Sequence, residues 1–291
     1  MFGPNPKTKI INFNKENYSH RDEKFKEVYC DIKNILKDKF SLKDFDIVLI
    51  TGPATLAIES IIDSLEEKIK VEGVEGKFKN RWKSISEKTN LKKTSNKTLK
   101  MGVHFETSNS TFNNTNEFDI IDAVSSFPFI EIKEKNKIIV TTANKILGSL
   151  AGISIVFLRK DAKLSFKKRD YYSYLDFLMH INYSLENQTP CTSCLHTYET
   201  LRNELRKFDK EKVKKKIELN CKIICKSLEI ENKFLPAITI EKNKCLESVL
   251  KKYSLYGYND IEKSEFQIFT YSESSNLYRR LSNDLKEAKK C

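Results

Sequence analysis

The chain reads as an α/β protein with a smaller domain at its C-terminal end, and three observations point there. Strand-like apolar runs and amphipathic helical stretches alternate from residue 22 to about residue 160, the order that a sheet layered with helices requires. At 291 residues the chain can bury a sizeable core in one large or two ordinary domains. The segment Asn187-Gln-Thr-Pro190 gathers turn formers ahead of a helical region, and marks the passage from a domain over 1–188 to one over 189–291.

The elements follow in order. Residues 22–38 carry Phe25, Val28, Tyr29, Ile32, Ile35 and Leu36 at helical spacing. Phe45-Asp-Ile-Val-Leu-Ile-Thr51 is a buried strand, and Gly52-Pro53-Ala54-Thr55 turns it into a helix over 54–67 with Ala57, Ile58, Ile61, Ile62 and Leu65 on one face. Further strands are expected at 68–72, 98–106, 118–124, 137–142 and 153–158, with a helix at 77–88. Helices at 194–208 (Tyr198, Leu201, Leu205, Phe208), 211–228 (Val213, Ile217, Cys221, Ile224, Leu228) and 274–289 complete the pattern, without an internal repeat.

Three places in this pattern can carry chemistry. At Gly52-Pro53-Ala54-Thr55, a helix begins directly after a strand and a tight turn. Free backbone N–H groups and the helix dipole then face outward, which suits an anion, although the same arrangement also serves as a plain connection. Asp122 stands at the carboxyl end of an apolar strand, where open α/β sheets place their ligands. It can keep a cofactor pyridine nitrogen protonated, or cap the next turn. Lys145 follows the strand ending Val140-Thr-Thr-Ala-Asn and precedes Leu147 and Leu150. Burial there would lower its pKa and free the amine for Schiff-base chemistry; otherwise it snorkels from a strand end. Glycine, at 8 of 291 residues, is scarce against a usual ~7 %, yet Gly52, Gly76, Gly148 and Gly152 fall in the candidate site segments.

Eight short pieces line up along the chain: Phe2-Gly-Pro-Asn-Pro6, Ser19-His-Arg21, Leu49-Ile-Thr-Gly-Pro-Ala-Thr-Leu-Ala-Ile-Glu59, Gly76-Lys-Phe-Lys-Asn-Arg-Trp82, His104-Phe-Glu-Thr-Ser108, Asp122-Ala-Val-Ser-Ser126, Thr142-Ala-Asn-Lys145 and Thr192-Ser-Cys-Leu-His-Thr197. Together they resemble the class V group of fold type I pyridoxal phosphate aminotransferases, most closely its 2-aminoethylphosphonate:pyruvate and alanine:glyoxylate members. The resemblance implies a mostly parallel sheet flanked by helices in the large domain, a smaller α+β C-terminal domain, and a homodimer. It implies pyridoxal 5'-phosphate as cofactor and transfer of an amino group between a small, aminophosphonate-like amine and a keto acid. Another small amine or amino acid as substrate, or a non-catalytic homologue acting as a binding or partner subunit, are the alternatives.

The same resemblance assigns roles. Lys145 would hold the cofactor as a Schiff base and shuttle the proton, while Asp122 would pair with the pyridine nitrogen. Val124 would pack beneath the ring and Phe78 stack on its other face. Ala54 and Thr55 would hold the phosphate, and Thr107 would hydrogen-bond the cofactor. Thr192 would reach the phosphate of the neighbouring subunit. Asn5, Arg21 and Gln267 would face the substrate.

Departures from the family pattern are local. Phe266-Gln267-Ile268 stands where a Phe-Arg-Ile clamp for carboxylates is expected, and a neutral amide cannot supply that charge. Arg21, Arg279 and Arg280 are the substitutes within reach of the pattern. Pro53 removes an N–H from the phosphate turn, which matters little if it opens the helix. Asn5 replaces a glycine, and the ten residues Asn109 to Phe118 leave no room for a helix ahead of the Asp122 strand.

Composition excludes other classes. The formal charge of +12 is nearly all lysine, spread along the chain without the arginine and aromatic interleaving of a nucleic-acid reader. The densest run, Lys212-Val-Lys-Lys-Lys216, reads as the solvated face of a helix. An odd seven cysteines and no apolar leader at the start fit a reducing cytoplasm, and no run approaches ~18 apolar residues, so no membrane span is expected. Cys191-x-x-Cys194 lacks the second pair of a metal site. His104 and His196 have no visible nucleophile partner and read as structural or phosphate-neighbouring.

Overall fold

A computed structural model describes residues 2–5, 18–257 and 264–289. The chain forms two compact units: a larger one of Thr8–Glu106 and Phe112–Lys207, and a smaller one of Met1–Lys7, Thr107–Thr111 and Phe208–Cys291.

The larger unit is built on strands β1 (Phe45–Thr51), β2 (Lys68–Glu72), β3 (Thr98–Val103), β4 (Ile120–Asp122), β5 (Ile138–Thr142) and β6 (Ile153–Arg159). They form one sheet in the order β1-β6-β5-β4-β3-β2. The pairs β2–β3, β3–β4 and β4–β5 are parallel, and β6 alone runs against its neighbours β5 and β1. The mostly parallel sheet expected from the sequence is therefore present. Its central strands read as largely apolar runs because both faces are covered. Ile138, Ile139, Val140, Ile155 and Val156 are all fully buried.

Five helices accompany the sheet: α1 (Glu23–Phe40), α2 (Ala54–Ser64), α3 (Lys77–Asn90), α4 (Phe177–Leu185) and α5 (Leu195–Lys207). The apolar face of α2 (Ala57, Ile58, Ile61, Ile62) shares one core cluster with Ile138, Val140, Val156 and Trp82. Register places Val103 and Asp122, at the carboxyl ends of β3 and β4, abreast of Val140 in the middle of β5. Between β3 and β4, residues 109–118 hold a two-residue strand, Thr111–Phe112, and a 3₁₀ turn, Thr115–Glu117, with no α-helix, as the short spacing requires.

Helix α5 stays with the larger unit, so compactness divides the chain at Phe208 rather than after residue 188. The reason is Tyr198, fully buried against Phe25 and Tyr29 of α1 (ring centroids 5.0 and 6.1 Å) with its hydroxyl 2.9 Å from Thr51 Oγ1.

The smaller unit contains α6 (Lys210–Leu228), β7 (Ala237–Glu241), α7 (Glu247–Tyr253), β8 (Glu265–Phe269) and α8 (Ser275–Ala288), with β7 and β8 antiparallel. It has the α+β character expected of it. Its core takes in Phe2, whose ring meets Tyr278 edge-on at 4.8 Å and whose carbonyl accepts the Phe269 N–H. Lys212, Lys214 and Lys215 are exposed on α6, whereas Lys216 is half-buried and donates to the Tyr271 carbonyl (2.8 Å); Ile217, Cys221, Ile224 and Leu228 are buried and Val213 only partly so. Strands β7 and β8 and helices α4 and α7 are additions that hydrophobic periodicity did not announce. Among the described residues, no helix is long and apolar enough to cross a membrane.

Candidate active site

The turn after β1 sets the first wall of the site. Gly52 takes φ +148°, a conformation open to glycine. Its N–H donates to Gly152 O (2.8 Å), and Ser154 Oγ donates to its carbonyl (2.7 Å), which ties the turn to the start of β6. Pro53 is the N-cap of α2 rather than its first helical residue, and its carbonyl accepts the Leu56 N–H at 2.9 Å. Ala54 and Thr55 are thus the first two helical residues, whose N–H groups have no acceptor within the helix. Proline at the cap costs the turn nothing.

Asp122 ends β4 and is 4 % exposed. Its Oδ2 accepts the indole N–H of Trp82 (2.8 Å) and its Oδ1 accepts the Val124 N–H (3.0 Å). Burial pushes the acid up to about 6. The two donors and the charge of Lys145 pull it down, and the charge of Glu106 adds to the rise.

Lys145 follows β5, between buried Ala143 and buried Ile146 and Leu147. Its side chain keeps some surface open, yet desolvation brings its ammonium down to about 8 against the pull of Asp122. Thr142 Oγ1 donates to Asn144 Oδ1 (2.7 Å), which shapes the turn that presents the lysine.

These groups meet in one cleft of about 500 Å³. Its walls are Ala54 and Thr55 at the start of α2, Phe78 of α3, Val124, and the stretch from Thr142 to Lys145 with Gly152. A narrower recess shares Ala54, Thr55, Phe78 and Val124 and ends on Trp82 and Asp122. The cleft falls within the ~300–1,000 Å³ usual for small-molecule sites.

Phe78 is held by a device that the sequence did not reveal. Buried Glu106 accepts the N–H groups of Phe78 and Lys79 on one oxygen, each at 3.1 Å, and so caps the first turn of α3. Gly76 makes room for it, since a Cβ there would lie 2.2 Å from Glu106 Cγ. Arg81 was also missed: its guanidinium lies 5.2 Å from the Phe78 ring centroid and 3.3 Å from Thr55 Oγ1. A basic residue one turn into a helix carries no signal in a chain this rich in lysine.

Six of the expected site residues therefore come together in the larger unit: Ala54, Thr55, Phe78, Asp122, Val124 and Lys145. Thr192 lies exposed on the loop before α5 and is not part of the cleft wall. That loop is pinned through Ser193, whose Oγ is 2.7 Å from Thr51 Oγ1 and 2.8 Å from Thr189 Oγ1. Arg21 also stands apart from the wall, stacked on Tyr183 at 4.9 Å and donating to Gln188 Oε1 at 2.7 Å. Thr107, Gln267 and Asn5 belong to the smaller unit. There Gln267 Nε2 donates to the Thr107 carbonyl (2.7 Å), and Asn5 is exposed. His104 is structural: its ring nitrogen is 2.8 Å from Ser126 Oγ, and burial pushes its pKa down to about 4. Cys191 Sγ approaches Tyr174 Oη at 3.3 Å, and no group of metal-binding side chains occurs among the described residues.

This arrangement can be set beside known proteins. No protein-family model matches the chain, and no curated protein matches it in sequence. Solved structures do match in shape. An aspartate aminotransferase of subgroup IV from Thermus thermophilus superposes with a TM-score of 0.80 at 16 % identity, covering 99 % of this chain and 97 % of its own. Alanine–glyoxylate aminotransferase from Nostoc sp. gives 0.75 at 16 %, over 99 % and 94 %. A phosphoserine aminotransferase from Trichomonas vaginalis, solved with pyridoxal phosphate bound, gives 0.67 at 16 %, over 94 % and 90 %. The fold is that of the class V aminotransferases. The cleft and its recess bring Lys145, Asp122, Phe78, Val124 and the start of α2 together.

Proposed function

We propose that the protein is a pyridoxal phosphate-dependent aminotransferase that moves an amino group between a small amine and a keto acid. The observation that carries this reading is the electrostatically coupled pair Asp122 and Lys145, set at the ends of neighbouring strands around a cleft with an anion-binding helix start. When bound, the cofactor supplies a ring that withdraws electrons from the substrate carbon. Lys145 would hold it covalently, and its amine, brought down to about pKa 8, would serve to move a proton once released. Asp122 would keep a charge for the ring nitrogen, and Phe78 and Val124 would supply apolar walls for the ring. The N–H groups of Ala54 and Thr55 and the Thr55 hydroxyl take the phosphate, with Arg81 close enough to add charge.

The substrate reading is finer. Gln267 offers a neutral amide, already bonded to the Thr107 carbonyl, where a carboxylate clamp would need a guanidinium. An amine without a carboxylate at that point, such as an aminophosphonate, fits best. Thr192 is exposed on the loop before α5, and by the family resemblance it would serve a neighbouring copy in a homodimer.

The test is direct. Purified protein should be yellow, bleach on borohydride treatment, and carry the pyridoxyl mass on Lys145. A half-reaction screen over aminophosphonates, amines and amino acids then names the donor. A colourless protein that takes up no pyridoxal phosphate, or a label on another lysine, would refute the reading.

A further inference from the structure

We propose that Trp82 is the positioning residue for Asp122, its indole N–H holding one carboxylate oxygen so that the group stays ionised and fixed in orientation. The purpose of this contact rests on the cofactor reading above, whereas its geometry does not.

Trp82 is the chain's single tryptophan, and it is 1 % exposed. It lies one helical turn after Phe78 on α3, so that one helix delivers both the cleft wall and the donor beneath it. The indole N–H is a donor only and does not titrate. At 2.8 Å from Oδ2 it stabilises an ionised oxygen and cannot accept the proton of a carboxylic O–H there. Val124 N–H acts likewise on Oδ1 at 3.0 Å, so each oxygen has one donor and the carboxylate plane is set.

The forces on Asp122 are otherwise opposed. Burial and the charge of Glu106 favour the neutral acid, while Lys145 favours the carboxylate. His104 contributes its backbone N–H to the Asp122 carbonyl, and its ring is uncharged and turned to Ser126. Packing alone does not ask for tryptophan here. Phenylalanine or leucine would also suit the aliphatic cluster that surrounds it, and neither would bring an N–H to a buried acid.

The single indole makes the contact readable without turnover. In full-length protein stripped of cofactor, intrinsic tryptophan fluorescence should change in one step centred near pH 6, as Asp122 titrates. The step should vanish in Asp122→Asn. A flat wild-type profile, or a step that survives in Asp122→Asn, overturns the proposal. Trp82→Phe, loaded with pyridoxal phosphate carrying ¹⁵N in the ring, should lose protonated-ring signal at mildly alkaline pH. The acid limb of its kcat/KM profile should rise by about one pH unit, the worth of one hydrogen bond to a charged group. A wild-type ring signal and pH profile in that variant would equally overturn it. Should Trp82→Phe fail to fold, the fluorescence pair still decides. Should the wild type bind no pyridoxal phosphate, the function fails, and the fluorescence step alone tells whether the Trp82–Asp122 contact exists.

Discussion

The two compact units treat their polar groups in opposite ways. In the larger unit a buried acid is left partly unsatisfied in charge: Asp122 has two donors, a desolvated lysine nearby, and an open recess beside it. In the smaller unit the polar groups around Gln267 are closed on one another, with its amide on the Thr107 carbonyl and Thr239 Oγ1 on the same oxygen at 2.5 Å. The first arrangement stores an electrostatic cost that a bound cation or ring N–H can relieve. The second is a neutral, self-satisfied bond. On the proposed function, chemistry would reside in the first, and the second would bear on which substrates are admitted.

The sharpest way to break this contrast is Asp122→Asn. Without the charge, turnover should fall by about 10²–10³, the scale of losing one electrostatic stabiliser in a dry site. Stability should move the other way. The folded pKa of Asp122 lies near 6, above its unfolded value, so the native state binds more protons between the two values. Stability therefore declines as pH rises toward 6, and the cost persists above it. Cofactor-free Asp122→Asn should melt higher than wild type at pH 8, by up to about 3 kcal/mol, and the gain should disappear near pH 4. Thermal melts at the two pH values check this. Equal melting at both, with unchanged turnover, would make Asp122 a structural cap.

Legibility followed the same division. In the larger unit the central strands were readable as largely apolar runs and β2 by its alternation, and β1 and β2 coincide with their expected bounds. Asp122 and Lys145 stood out because the first ends such a run and the second follows one by three residues. The roles of Glu106 and Trp82 were not, since a hydrogen bond spanning 28 or 40 residues leaves no periodic trace. In the smaller unit, β7 and β8 have five residues each and α7 has seven, too few for either period to establish itself. Helix α5 was found, but its allegiance depends on Tyr198 meeting Phe25, a contact between distant parts of the chain.

A second substitution sharpens the comparison from within the larger unit. Gly76→Ala places a methyl group 2.2 Å from Glu106 Cγ, and the buried carboxylate must shift off the N–H groups of Phe78 and Lys79. Overpacking of this kind costs about 1–3 kcal/mol. Loosening Phe78 should also weaken pyridoxal phosphate binding several-fold, measured by the quenching of Trp82 fluorescence. Wild-type melting and affinity in Gly76→Ala would show that Glu106 does not need its present place.

The smallest expected effect belongs to the smaller unit and concerns Gln267→Arg. A charge-assisted bond is worth roughly 1.5–3 kcal/mol, so a new guanidinium that reaches a substrate carboxylate should raise kcat/KM for alanine about tenfold or more. Arginine can still donate to the Thr107 carbonyl, so the local bond need not be lost, and melting should change little. The native arginines offer poor competition. Arg21 is engaged with Tyr183 and Gln188, and Arg279 and Arg280 are exposed on α8. If one of them nevertheless binds carboxylates, wild-type activity with alanine is already high and falls when that arginine becomes alanine, while Gln267→Arg adds nothing. If activity with alanine is low and Gln267→Arg raises it, the closed amide is what excludes amino acids. High wild-type activity with alanine that survives replacement of all three arginines would mean that Gln267 plays no part in selection, and the contrast between the two units would then not be one of chemistry against specificity.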